Sequence, residues 1–255
     1  MRKELILIFT IILLVSLTAI TGVYADEEKA KIITLSKKEL DITGDGLKDT
    51  IHLKLLPYQN KSSYFKKIYL KIIASNHKTY MIPLESGIKP TLKFVDLNDD
   101  SVMDIFANIP LGENGDECNN YIYTLKDFKL MDLSTPEPLE IVSRFENGYK
   151  AKIKIAETNN TYLFDLKNRK KYYEKLGLFY KGKINEPTEL YVHSFSHLKP
   201  VLLKGKAIGL KGIQRISGAT DTDTIAYVES SWNFKKDGGW GLEKVVVFKG
   251  DRLKK

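Results

Sequence analysis

Two short acidic runs hold the residues best suited to chemistry. Asp41-Ile42-Thr43-Gly44-Asp45-Gly46-Leu47-Lys48-Asp49 and Asp96-Leu97-Asn98-Asp99-Asp100-Ser101-Val102-Met103-Asp104 match in their acidic positions, 55 residues apart. Oxygen-bearing side chains fall at positions one, three, five and nine: Asp41, Thr43, Asp45 and Asp49, then Asp96, Asn98, Asp100 and Asp104. Position seven is Leu47 or Val102, where only the backbone carbonyl could serve as a ligand. This is hard-cation chemistry. Calcium takes about six to eight oxygens at about 2.3–2.6 Å, and a tight loop with alternate side chains turned inward supplies five or six of them. Magnesium fits less well, because it demands a stricter octahedron and gives up water reluctantly. Gly46 is the usual turn residue at position six, and Ser101 replaces it in the second loop. Position twelve offers His52 or Ala107, so neither loop has the bidentate glutamate of an EF-hand. Asp, Asn and Gly also gather in plain polar turns, and that reading stands beside the calcium one.

Other candidates are weaker. His193 and His197 stand four apart, which on a helix would place both on one face for zinc, but Pro200 and the serine-rich context point away from a helix and towards two surface histidines. Asp221 and Asp223 read as a polar turn before a strand, and Ser217-Gly218 lacks the nucleophile-elbow pattern. Trp232 and Trp240 bracket a Gly/Asp turn and read as hairpin packing before sugar stacking. Cys118 is alone, so an intramolecular disulfide is impossible.

Strand patterns must position the acidic loops. Ile51, Leu53 and Leu55 alternate with His52 and Lys54, the period of a half-buried strand. Further strands are expected at 68–73, 79–84, 92–95, 105–109, 121–125, 149–155, 162–166, 224–228 and 245–248. Asn147-Gly148, Asn159-Asn160 and Lys236-Asp237-Gly238-Gly239 supply hairpin turns. One helix is expected near 169–178. The fold class is therefore all-β, either β-propeller-like or a β-sandwich, built from repeated four-stranded units with calcium loops. Continuing the 55-residue step leads near Ala151 and then near Lys206, where Lys204-Gly205-Lys206-Ala207-Ile208-Gly209 keeps turn character but has lost every acid.

The two acidic runs resemble the calcium loops of the FG-GAP/VCBS repeat family. Gly212-Ile213-Gln214-Arg215-Ile216-Ser217-Gly218, followed by Asp223-Thr224-Ile225-Ala226-Tyr227-Val228, further resembles secreted VCBS-type proteins of bacilli. The resemblance is specific over the loops and loose elsewhere. It implies calcium ligands at Asp41, Thr43, Asp45, the Leu47 carbonyl and Asp49, then Asp96, Asn98, Asp100, the Val102 carbonyl and Asp104, within β-rich extracellular modules. Ser101 and the acid-free stretch at 204–209 depart from that pattern.

Arg2 and Lys3, the apolar run 5–20 and Val23-Tyr24-Ala25 read as a signal peptide over 1–25. An uncleaved anchor is the other reading, though sixteen residues fall short of the roughly 17–25 that span a bilayer. The remaining chain divides into a β-rich region at 26–133 with both loops and a β-rich region at 134–255 with a degenerate repeat, and Ser134-Thr135-Pro136-Glu137-Pro138 is the soft boundary. Losing Arg2, Lys3 and Glu4 takes the net charge from +8 to +7. The lysines are scattered, which disfavours specific nucleic-acid binding and leaves an anionic wall polymer as a partner. The expected protein is secreted or wall-associated, without a stable membrane span after cleavage. It is a calcium-binding, non-enzymatic binding or structural module for an unidentified macromolecule or envelope component. The alternative is a calcium-dependent enzyme acting on an extracellular polymer. N-terminal sequencing of secreted material should begin at Asp26, and full-length chain in the membrane fraction would show an anchor.

Overall fold

The structure, a computed structural model, describes residues 31–58, 63–112 and 117–250. The expected signal at 1–25 lies outside the described residues. Among those described, no helix is long and apolar enough to cross a membrane.

The all-β expectation holds. Sheet A is a meander of β1 (Ile33–Leu40), β2 (Asp49–Pro57), β3 (Tyr64–Ile73) and β4 (Thr79–Leu84), with β5 (Gly87–Ile88) also paired to β3. Sheet B runs β6 (Thr91–Val95), β7 (Asp104–Pro110), β8 (Cys118–Thr124) and β9 (Met131–Asp132). Sheet C is β10 (Ile141–Glu146), β11 (Lys150–Ile155) and β12 (Thr161–Asp165). The short helix α1 (Lys170–Lys175) and sheet D, the small hairpin of β13 (Phe179–Tyr180) and β14 (Lys183–Ile184), lead into sheet E. Sheet E is a second long meander: β15 (Tyr191–Leu202), β16 (Ile208–Ser217), β17 (Thr224–Phe234) and β18 (Trp240–Lys249). Every pairing is antiparallel, and each sheet is open.

The 55-residue step has a structural counterpart. The loop at 41–48 joins the first and second strands of sheet A, and the loop at 96–103 does the same in sheet B. Residues 147–149 join β10 to β11, and 203–207 join β15 to β16. The step to 206 falls in such a connection, whereas the step to 151 lands inside β11, two residues past its turn.

Alternation decides which side of each strand is buried. In sheet A, Ile51, Leu53 and Leu55 of β2, with Ile68, Leu70 and Ile72 of β3, face one core. Ile105, Ala107 and Ile109 of β7 close that core from the other side. The intervening Phe106, with Ile122 of β8, enters a second core shared with Phe145, Ile153, Phe195, Val228 and other residues of sheets C and E. Sheet B is therefore covered on both faces, which explains the almost continuous apolar run of β7. Phe145, Tyr173 and Phe179 pack edge-on or tilted at 5.4–6.0 Å between ring centres, fixing α1 against sheet C.

Trp232 and Trp240 are hairpin residues as expected: Trp232 is buried, and Trp240 packs edge-on against Phe234. His193 and His197 lie on β15, not on a helix, and His193 is buried, which corrects the surface reading. Phe106→Ala should lower stability by about 3–5 kcal/mol. Urea denaturation should show this as a reduced midpoint at an unchanged slope.

Candidate functional site

The two acidic loops share their hydrogen bonds as well as their spacing. The Ile42 N–H donates to Asp49 Oδ2 at 2.8 Å, and the Leu97 N–H donates to Asp104 Oδ2 at 2.8 Å. Gly46 N–H to Asp41 Oδ2 is matched by Ser101 N–H to Asp96 Oδ2, both at 2.8 Å. Leu47 N–H to Asp45 Oδ1 is matched by Val102 N–H to Asp100 Oδ1, both at 2.9 Å. Backbone shape repeats too. Gly44 (φ 79°) and Gly46 (φ 82°) correspond to Asp99 (φ 59°) and Ser101 (φ 68°), so the second loop holds the left-handed turn without glycine.

These bonds direct the carboxylates to the loops' own amides. Among the described residues, no group of three or more His, Cys, Asp or Glu is gathered to hold a metal ion. An oxygen that accepts one N–H still keeps a lone pair, so the amides orient the carboxylates without exhausting them. Asp41, Asp45, Asp96, Asn98 and Asp100 line the loops with hard oxygen donors, and Asp49 and Asp104 are buried beneath them. Thr43 is also buried, its hydroxyl donating to Asp49 Oδ2 at 3.2 Å. Leu47 is exposed, whereas Val102 is buried.

The loops differ in what faces them. In sheet A, Ser75, two residues beyond the third strand, donates through N–H to Asp49 Oδ1 (2.8 Å) and through its hydroxyl to Asp45 Oδ2 (2.5 Å). These bonds, with the Leu47 N–H, hold the Asp45 carboxyl below its usual pKa, the Ser75 hydroxyl being the larger influence. The corresponding place in sheet B is Lys126. Its ammonium donates to the Asp100 carbonyl at 2.7 Å and stands 3.7 Å from Asp100 Oδ2. Asp104 Oδ1 is left buried without a hydrogen-bond partner, as is Thr124 Oγ1. Burial pushes the Asp104 carboxyl up to about 6, assisted by the nearby Asp100 charge; the Leu97 N–H pulls against the shift, and so does Thr124, which lies close but outside hydrogen-bonding geometry.

The loops also touch. A side-chain carbon at Gly44 would lie 2.8 Å from Val102 Cγ2, so the first loop packs on the second at a position that tolerates only glycine. The Asp127 N–H donates to the Thr43 carbonyl at 3.0 Å, so the turn that sends Lys126 to one loop also holds the other.

A second polar cluster escaped the sequence reading. His193 of β15 is 5% exposed, and its Nε2 lies 3.0 Å from Ser217 Oγ and 3.2 Å from Asp221 Oδ1. The buried Arg215 donates to Asp221 Oδ1 at 2.8 Å and to Ser217 Oγ at 3.2 Å. The Ser217 hydroxyl donates to the Asp221 carbonyl at 2.9 Å. Beside it, Asp223 pairs with Arg169 and accepts the Tyr173 hydroxyl at 2.8 Å, tying α1 to the turn. An open cavity of about 880 Å³ lies over the cluster, with Tyr191, Glu117 and Thr220 on its walls. Serine, histidine and aspartate together invite comparison with a hydrolytic triad. Ser217, however, is 0% exposed, which keeps its hydroxyl away from the cavity, whereas a nucleophilic serine must reach its substrate. The bonds from Arg215 and Ser217 to Asp221 hold the 218–223 turn against β16. Sequence alternation places Arg215 and Ser217 on one face of β16, but only the irregular β15–β16 pairing between Val192 and Phe195 brings His193 beside them.

Comparison with known proteins finds similarity to one family model and to a bacillus protein. The family described as the YybI C-terminal domain matches residues 139–248. The uncharacterized protein YybI of Bacillus subtilis (strain 168) is 28% identical over 224 residues, covering 83% of this chain and 84% of its own length. No solved structure matches the chain significantly. The bacillus relative agrees with the expected kinship. These matches give no evidence of an FG-GAP or VCBS repeat, and the matched family covers the His193 cluster and not the acidic loops.

Asp104 sets a pH signature. Its folded pKa lies above the unfolded carboxyl value of about 3.9, so its contribution to stability is full below about pH 4 and is lost as pH rises to about 6. Asp104→Asn should remove that loss. The melting midpoint of the wild type should fall relative to the variant across this window, by an amount equivalent to at most about 3 kcal/mol; a constant difference would show that Asp104 ionises normally. Ser217→Ala should cost about 1–3 kcal/mol, because His193 and Arg215 each lose a buried partner. Denaturant titration measures it.

Proposed function

We propose that this chain is an exported, non-catalytic, β-rich binding module of the cell envelope, whose meanders are propeller-like repeats and whose first two repeats take calcium. The observation that carries the reading is the duplicated loop, with the same three amide-to-carboxylate bonds holding acids at the same positions in sheets A and B. Asp41, Thr43, Asp45, the Leu47 carbonyl and Asp49 would hold the first ion. Asp96, Asn98, Asp100, the Val102 carbonyl and Asp104 would hold the second. The partnerless Asp104 Oδ1 supports the second set, since a buried acceptor without a donor favours a cation. Bound calcium would neutralise the carboxylates crowded into each loop. Lys126 already supplies part of that charge in the second loop, which makes it the weaker site. Binding is preferred to the enzyme alternative because the cluster closest to catalytic chemistry has its serine fully buried.

Extracellular calcium modules often bind at about 10⁻⁴ to 10⁻³ M. At roughly millimolar calcium this contributes about 0.4–1.4 kcal/mol per site, or a few degrees in melting midpoint. Thermal melts in chelator and in calcium should therefore differ. Asp45→Ala should remove most of the gain and Asp100→Ala less, while Lys126→Ser, copying Ser75, should enlarge the second loop's response. Identical midpoints together with no heat on calcium titration would leave two ordinary polar turns.

A further inference from the structure

The cavity over the His193 cluster is lined by none of the acidic-loop residues, and nothing in the calcium reading uses it. At about 880 Å³ it lies within the roughly 300–1,000 Å³ of small-molecule sites. Its floor is fixed. The Ser217 hydroxyl has one proton, and that proton goes to the Asp221 carbonyl. Ser217 Oγ therefore accepts from both Arg215 Nη1 and His193 Nε2, which places the ring proton on Nε2, facing Ser217 Oγ and Asp221 Oδ1 together. Arg215 Nη2 holds the same carboxylate oxygen at 2.8 Å. Both anchors use Oδ1, and the Asp221 side chain stays 63% exposed on the cavity wall, with Oδ2 available to accept from a ligand.

Beside this floor stands an exposed ring. Tyr191 pairs with Ser217 across β15 and β16, and it packs edge-on to His193 with 4.4 Å between ring centres. That contact sets the angle of the Tyr191 ring, while the residue remains 58% exposed and forms part of the cavity wall. A flat apolar surface next to oriented hydrogen-bonding groups suits a ligand with a C–H face and a hydroxyl rim. Charge narrows the class further. Among the described residues, Glu117 and Asp221 on the wall disfavour an anion. Arg215 already offsets the Asp221 charge from below, which leaves that carboxylate little attraction for a cation. We propose that this cavity binds an uncharged oligosaccharide, with Tyr191 stacked on the C–H face of one pyranose ring and Asp221 Oδ2 accepting from hydroxyls at its rim. The inference goes beyond the calcium reading and stands without it.

The test is calorimetric titration of the full chain in chelator, so that calcium plays no part and failure leaves the calcium reading untouched. The probes are neutral tetraacetylchitotetraose, cellotetraose and maltotetraose, the cationic deacetylated chitotetraose, and the anionic tetragalacturonate. At least one neutral tetrasaccharide should bind, about tenfold or more tighter than either charged one. Tyr191→Ala and Tyr191→Leu should each weaken that binding by about tenfold or more, whereas Tyr191→Phe, which keeps the ring, should stay within about threefold of the wild type. Tyr191→Leu retains apolar bulk against His193, so lost binding at an unchanged melting midpoint separates stacking from folding. Tyr180→Ala, at an equally exposed tyrosine outside the cavity, should leave affinity unchanged. Absence of binding by every neutral tetrasaccharide, tighter binding of a charged one, or binding that Tyr191→Leu leaves intact would each overturn the proposal.

Discussion

β7 has no solvent face: Ile105, Ala107 and Ile109 complete the core beneath sheet A, while Phe106 points into the core shared with sheets C and E. That double burial reaches beyond packing. Asp104 begins the strand, so its carboxylate is carried below the surface with it, and the loop before it must provide a hydrogen bond there. Leu97 N–H provides one and nothing provides the other. The raised pKa of Asp104 is thus a consequence of how tightly sheet B is enclosed. Asp49, at the start of the corresponding strand of sheet A, avoids the same shortfall because Ser75 N–H reaches its second oxygen.

The first acidic loop is consequently complete as a protein turn before any ion is considered, while the second leaves one Asp104 oxygen without a donor. Backbone amides neutralise part of each carboxylate's charge and fix its direction, which is what a polar turn requires and also what an organised cation site requires. Ser75 and Lys126 show two ways of finishing the same design. A hydroxyl leaves the negative charge of the first loop in place, whereas an ammonium offsets it in the second.

Strands that bury one face were legible from alternation. β2, β4, β6, β11 and β12 lie within a few residues of their expected positions, because inward Ile and Leu alternate with outward Lys, Thr and Tyr. β1 was not, since Ile33–Leu40 is largely exposed and has no apolar side to announce it. β15 and β16 were missed because Pro200, Gly209 and Gly212 interrupt their pattern. Gly212 is there for packing, as a side-chain carbon would meet the Phe195 ring at 2.4 Å. The acidic loops were found by spacing, but spacing says nothing about which way a carboxylate turns. The His193 cluster depends on pairing between residues more than twenty positions apart, with an irregularity in register, and no local pattern records that.

The contact of Gly44 with Val102 ties the history of the two loops together. The connections at 147–149 and 203–207 carry no acids. The loops at 41–49 and 96–104 are joined instead: Gly44 leaves no room for a side chain beside Val102, and a change in the 126–128 turn is felt by both. In a collection of relatives these positions should therefore change as a set, and the two loops should be kept or lost together.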